Sequence, residues 1–161
     1  MPVAKSGIMD SLNLPTYSFN IKSTGERKLI FDKLRKRFVV LTPEEWVRQN
    51  LIMFLIEEKD YPAALISVEM SIKLNKMKRR CDIVIFNKTG VPNLIVECKA
   101  PSIKINQDVF DQIAAYNIKL KVKYLIVTNG LDFYCCYIDH DNNSYTFMKD
   151  IPNYTELGTR N

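Results

Sequence analysis

Residues 80–101 read RCDIVIFNKTGVPNLIVECKAP, two short apolar runs separated by a polar turn. β-Branched and aromatic residues fill both runs, which predicts a hairpin of strands Cys81–Phe86 and Asn93–Cys98 around the turn Asn87–Pro92. With Thr89 and Gly90 at the centre of the turn, paired residue numbers sum to about 179, which sets Asp82 opposite Glu97. Opposed side chains lie about 4.5–5.5 Å apart at Cβ, and Lys99 follows two residues along on the same side. The same register sets Cys81, Ile83 and Ile85 opposite Cys98, Val96 and Leu94, an apolar face for a helix to cover. The charged trio is left at the edge of the face carrying Val84, Phe86 and Ile95. Two partly buried carboxylates this close raise each other's pKa unless a cation sits between them. A hard divalent ion resolves that conflict, and so does the Lys99 ammonium in a purely structural ion cluster.

Upstream, Ile66, Val68, Met70 and Ile72 alternate with Ser67, Glu69, Ser71 and Lys73, the period of a strand with one buried face, and Lys76–Arg80 follow as a basic tip. Before that strand, Thr42-Pro43-Glu44-Glu45 opens a helix: Thr42 caps, Pro43 suits the first helical position and Glu45 completes the capping box. Val47, Leu51, Phe54 and Leu55 carry the helical spacing to about Lys59, where Asp60-Tyr61-Pro62 stops it. Tyr17–Lys22, Lys28–Phe31 and Phe38–Leu41 read as strands whose outer face carries Lys33, Arg35, Lys36 and Arg37. Downstream, Asn106 caps a helix over Gln107–Leu120, followed by strands Tyr124–Thr128 and Phe133–Ile138 around the turn Asn129-Gly130. The last twenty residues read as a peripheral strand and a loose tail. The expected organisation is a single α/β domain over 1–161: an N-terminal β extension in 1–41, an αβββαβ core in 42–140 and a peripheral piece in 141–161.

Composition fits that reading. The 161 residues are 47% hydrophobic and 25% charged with five glycines and seven prolines, which excludes disorder and collagen-like repetition. Lys and Arg number 23 against 18 Asp and Glu, and the resulting +5 permits an anionic partner without identifying one. No apolar run reaches the roughly 18 residues of a membrane span, and the N-terminal segment lacks a signal peptide's apolar stretch, so a cytoplasmic protein with no membrane partner is expected. Cys81, Cys98, Cys135 and Cys136 form no C-x-x-C and His140 is the one histidine, which argues against zinc and for reduced, buried thiols. There is no G-x-x-x-x-G-K-[ST], hence no phosphate loop and no ATP-driven motor.

E-x-K occurs at Glu26, Glu57 and Glu97, and only the third lies at the end of an apolar strand opposite another carboxylate. Asp82, fourteen intervening residues, then Glu97-Cys98-Lys99 after Asn93-Leu94-Ile95-Val96 resemble the PD-(D/E)XK nuclease motif, with Cys81 where that motif has proline. Gln112 and Tyr116 are similar to the Q-x-x-x-Y element of its RecB-like and type I restriction branches. Leu41–Arg48, Arg80–Phe86 and Val96–Pro101 look closest to the N-terminal nuclease domain of type I restriction enzyme R subunits. The resemblance spans roughly Leu29–Asp139. It implies a restriction-endonuclease-like fold, a mixed central sheet flanked by helices, and a metal-dependent DNA endonuclease; the alternative is a non-catalytic DNA-binding or assembly module on the same fold.

Under the resemblance, Asp82 and Glu97 bind Mg²⁺ or Mn²⁺ with the Cys98 backbone carbonyl as a further ligand, and Lys99 orients the attacking water or stabilises the phosphorane. Gln112 and Tyr116 share a helix face bordering the site, although a core role explains Tyr116 nearly as well. Glu45 points at the same metal from the first helix, a position its capping role also accounts for. Glu69 has a similar double reading on its strand, and Arg48 and Gln49 are weaker candidates. Lys73, Lys76, Lys78, Arg79 and Arg80 contact DNA phosphates or form a solvated loop. Implied partners are DNA and either a second copy of the chain or separately encoded restriction or repair subunits.

Overall fold

A computed structural model describes residues 9–74 and 76–158. Its elements are β1 (Ile21–Thr24), β2 (Arg27–Asp32), β3 (Arg37–Val40), α1 (Pro43–Lys59), a 3₁₀ turn (Ala63–Leu65), β4 (Ile66–Leu74), β5 (Met77–Phe86), β6 (Pro92–Cys98), α2 (Gln107–Leu120), β7 (Tyr124–Thr128), β8 (Phe133–Asp139), β9 (Ser144–Phe147) and a 3₁₀ helix (Tyr154–Gly158). From α1 to β7 this is the expected αβββαβ order. Strands β4 to β9 form one mixed sheet in chain order, antiparallel throughout except for the parallel β6–β7 pair, and β1–β3 form a separate antiparallel sheet. Mixed sheet, flanking helices and element order together make a restriction-endonuclease-like core.

Local chemistry sets the helix ends. The Thr42 hydroxyl accepts the Glu45 N–H at 3.0 Å, Pro43 opens α1, and Asp60 ends it in the left-handed region at φ 58°. Asn106 accepts the Val109 N–H at 2.9 Å to cap α2. Helix α1 buries Val47, Leu51 and Leu55 against Ile83, Ile85, Leu94 and Val96 on one face of the sheet. Helix α2 buries Phe110 and Ala114 against Val84, Ile95, Leu125 and Val127 on the other. A parallel pair buried between two helices has to be apolar throughout, and all five residues of β7 are buried.

The hairpin register agrees with the sequence reading: Ile83 pairs with Val96, Val84 with Ile95 and Ile85 with Leu94. Four expectations change. Strand β1 starts at Ile21 rather than Tyr17 and runs to Thr24, because Gly25 at φ 60° permits a tighter turn that pairs Thr24 with Arg27. Cys81 leaves the α1 face and joins the α2 core, beyond a gap in the β4–β5 ladder where Glu69 sits at φ 53°. The basic residues after Lys76 form strand instead of a loop, pairing Lys78 with Lys73 and Arg79 with Ile72, since an outer hairpin lets long polar side chains reach water while the backbone bonds to β4. The C-terminal segment is anchored through Leu157: Ile151 and Leu157 are buried, and the Tyr61 hydroxyl donates to the Pro152 carbonyl at 2.9 Å. Residues 159–161 of the expected tail lie outside the described residues. Among the described residues, no helix is long and apolar enough to cross a membrane.

The N-terminal segment also packs down. The Asn13 N–H donates to the Gly130 carbonyl at 2.8 Å, and a Cβ on Gly130, at φ 84°, would lie 2.7 Å from Leu12 Cδ2. Glycine is required there by both backbone and space.

Candidate active site

Strand β6 ends on Glu97 and Cys98, and Lys99 follows with its N–H donated to the Thr128 carbonyl at 2.8 Å. Asp82 stands one residue beyond the Ile83–Val96 pair and is therefore opposite Glu97. Its Oδ2 accepts the Cys98 N–H at 2.7 Å and its Oδ1 lies 3.3 Å from Arg48 Nη1 on α1. Cys98 thus supplies its N–H to the site's aspartate and leads its carbonyl into Lys99. The carboxylate of Glu97 meets Arg79 Nη2, and the Arg79 guanidinium lies over the Tyr116 ring of α2, 4.6 Å from its centroid. The Tyr116 hydroxyl donates to the Lys78 carbonyl at 3.4 Å. The face shared with Val84, Phe86 and Ile95 is therefore kept by Glu97, whereas Arg48 draws Asp82 toward α1.

Glu97 is 8% exposed, and burial together with the Asp82 charge outweighs Arg79 and Lys99 to push its carboxyl up to about 7. The Lys99 charge reaches both Glu97 and Glu44, yet among the described residues its ammonium enters no ion pair. A half-buried cation held by its backbone and left free at its tip is positioned to meet an incoming anion.

Glu45 is joined to this centre through Arg48, whose guanidinium meets both its carboxylate and that of Asp82. It is buried, paired with Arg35 and Arg48, and accepts a hydrogen bond from Gln49 Nε2 at 2.9 Å. Glu44, one residue earlier on α1, lies within electrostatic reach of Asp82 and Lys99. Burial and then the Asp82 charge raise the Glu44 carboxyl, against Arg48 and Lys99. Only half of the expected capping box forms, because the arginines take the Glu45 carboxylate. Glu69 Oε1 lies 3.3 Å from Arg48, and despite burial the Arg48, Arg80 and Arg35 charges hold Glu69 below the usual carboxylate range.

The other candidates divide. Lys73, Lys76 and Lys78 are exposed on the hairpin, Arg80 is exposed and bonded to Glu69 at 2.6 Å, and Arg79 has turned in onto Glu97. Gln112 is exposed on α2 and, among the described residues, makes no side-chain hydrogen bond, while half-buried Tyr116 joins the site through Arg79. Sequence reasoning overlooked Glu44 and underrated Arg48. Their spacing of four residues was the available signal, a charged pair on one helix face beside buried Val47 and Leu51.

Among the described residues, no three His, Cys, Asp or Glu side chains are grouped to enclose a metal ion. Burial pushes the Cys81 thiol up to about 11 and the Cys98 thiol well above its ordinary range, so neither is a ready thiolate ligand. What remains is an oxygen donor set, Asp82 and Glu97 with Glu44 within electrostatic reach. Such a set fits Mg²⁺ or Mn²⁺, which bind through one or two carboxylates and keep several waters. Arg79 stands on Glu97 where that cation would bind.

The family model for the type I restriction enzyme R protein N terminus matches residues 43–152. No curated protein matches the chain. Among solved structures, a fragment described as an HsdR subunit of a type I restriction enzyme from Vibrio vulnificus YJ016 is 18% identical with a TM-score of 0.47. The comparison covers 67% of this chain and 23% of that one, so the chain spans less than a quarter of its length. The family match runs from α1 through the hairpin and α2 and takes in Asp82, Glu97 and Lys99, and the chain belongs to the type I restriction enzyme R protein N-terminal family.

Proposed function

We propose that this chain is a metal-dependent DNA endonuclease whose centre is Asp82, Glu97 and Lys99. The observation that carries the reading is the pair of carboxylates opposed across β5 and β6 with an unpaired lysine two residues along. Membership of a restriction-enzyme R protein family supports it. Asp82 and Glu97 would hold Mg²⁺ or Mn²⁺, with the Cys98 carbonyl beside them and Glu44 or Glu45 as the acid contributed by α1. A metal ion bound there supplies Lewis acidity and a water of lowered pKa.

The chain's own groups do the rest. Arg48 and the Cys98 N–H fix the Asp82 carboxylate. Lys99 presents an ammonium to the phosphate's developing charge. Tyr116 holds the Arg79 guanidinium at the rim of the site, and Gln112, one turn earlier on α2, offers its amide to the DNA backbone. Lys73, Lys76, Lys78 and Arg80 add sequence-tolerant phosphate contacts. One such site cuts one strand, so a double-strand break takes a second copy or a second event. Separately encoded restriction or repair subunits are the partners this reading assigns, in the cytoplasm.

The arginines on both carboxylates favour a second reading, a DNA-binding or assembly module without catalysis. Incubation with supercoiled plasmid separates the two. The nuclease reading predicts nicked circles with Mg²⁺ or Mn²⁺ and none with EDTA. Retention of plasmid without any nicking, unaffected by EDTA, would support the module instead.

A further inference from the structure

Two basic segments distant in sequence meet on one carboxylate oxygen. Arg35, in the turn between β2 and β3, places Nη1 3.2 Å from Glu69 Oε2, and Arg80 of β5 places Nη2 2.6 Å from the same atom. The other Glu69 oxygen faces Arg48, which continues to Asp82. The turn is thereby held against the base of the β4–β5 hairpin, on the flank where Asp82 is anchored. It is also ordered from within, since Asp32 Oδ1 accepts the N–H groups of Leu34 and Arg35 at 2.8 and 2.9 Å and Arg35 Nε reaches Asp32 Oδ2 at 2.5 Å. Of the turn's basic residues Arg35 does this docking, beside Leu34, which packs against the core. Lys33, Lys36 and Arg37 are exposed and, among the described residues, form no ion pair. Lys73, Lys76 and Lys78 on the hairpin are exposed and unpaired in the same way.

Three like charges crowded around a docked arginine repel one another and add nothing to the fold. We propose that Lys33, Lys36 and Arg37 are phosphate contacts, so that the N-terminal sheet and the hairpin form one DNA-binding surface flanking the site. This inference rests on the DNA reading above and assigns the N-terminal sheet a binding role within it.

The test is the salt dependence of affinity for a fluorescein-labelled 30-base-pair duplex, followed by anisotropy in EDTA. One variant combines Lys33→Gln, Lys36→Asn and Arg37→Gln; asparagine is used at 36 because that residue sits at φ 53°. A second combines Lys73→Gln, Lys76→Gln and Lys78→Gln, and a third removes the exposed Lys119, Lys123 and Lys149 elsewhere. Each phosphate contact contributes about 0.9 to the slope of log affinity against log salt, so the first two variants each lose about 2.7. Between 50 and 200 mM salt each of these variants therefore weakens about 40-fold less than the wild type does. The third variant keeps the wild-type slope. If the first variant keeps the wild-type slope while the second loses it, or if the third falls as far as the first, the turn is only solvated charge and the inference is overturned. Wild-type protein with no salt-dependent DNA affinity would overturn the functional reading itself.

Discussion

Replacing Glu97 with glutamine stabilises the folded chain at pH 8 and does so progressively less toward pH 5. Burial holds the Glu97 carboxyl at about 7, against 4.5 for the unperturbed group. Below 4.5 it is protonated in both folded and unfolded chains and costs nothing. As pH rises toward 7 the unfolded chain releases the proton first, so folding is penalised, and above 7 the penalty levels off at about 3 kcal/mol. Glutamine keeps the shape without the charge. Arg79 holds the Glu97 carboxyl down, so the loss of its contact is already part of that penalty. The gain at pH 8 is therefore about 3 kcal/mol, or roughly 6–12 °C in Tm for a chain of this size. Thermal melts of both proteins at pH 5, 6, 7 and 8 read the difference directly. Saturating Mg²⁺ should raise the Tm of the wild type and leave the variant's unchanged. A variant less stable than wild type by the same margin at every pH would refute the reasoning, since it would mean that ionised Glu97 is not under strain.

Three other outcomes follow from the contacts. Arg79→Ala vacates Glu97, and Mn²⁺ titration followed by electron paramagnetic resonance should show binding tighter by about tenfold, the equivalent of one charged contact removed. Arg48→Met leaves Glu45, Glu69 and Asp82 without a shared guanidinium and should cost about 3–5 kcal/mol in urea unfolding; Arg48→Lys recovers only part of it because a single ammonium cannot span three carboxylates. Gly130→Ala forces a Cβ onto Leu12 and, at 3.2 Å, onto Val47 Cγ2 in a backbone conformation alanine disfavours, and should lower stability by about 1–3 kcal/mol in the same assay.

Much of the architecture is legible in local chemistry. The polar turn fixed a register that brought Asp82 opposite Glu97, and Thr42 and Asn106 marked both helix starts. What escaped was set by pairs remote in sequence. Arg35 with Glu69 and Arg48 with Asp82 each span 34 residues, and no periodicity reports such a pair. Those contacts turn Asp82 toward α1 and commit the Glu45 carboxylate to the two arginines. Arg79 shows the same limit. Within a run of basic residues it reads like its neighbours, and only the meeting of β5 with the Tyr116 ring of α2 and the end of β6 sets it apart. A helical or strand period locates a face; which charged partner crosses that face depends on packing.

Lys99 offers the most direct test of the central claim, because its ammonium holds no ion pair among the described residues and its removal leaves the surrounding contacts intact. Wild-type protein and Lys99→Ala, matched in Tm, are incubated with supercoiled plasmid and Mn²⁺. Nicked circles are expected with wild type and none with the variant. Equal nicking by both would contradict the central claim and trace the activity to another nuclease in the preparation.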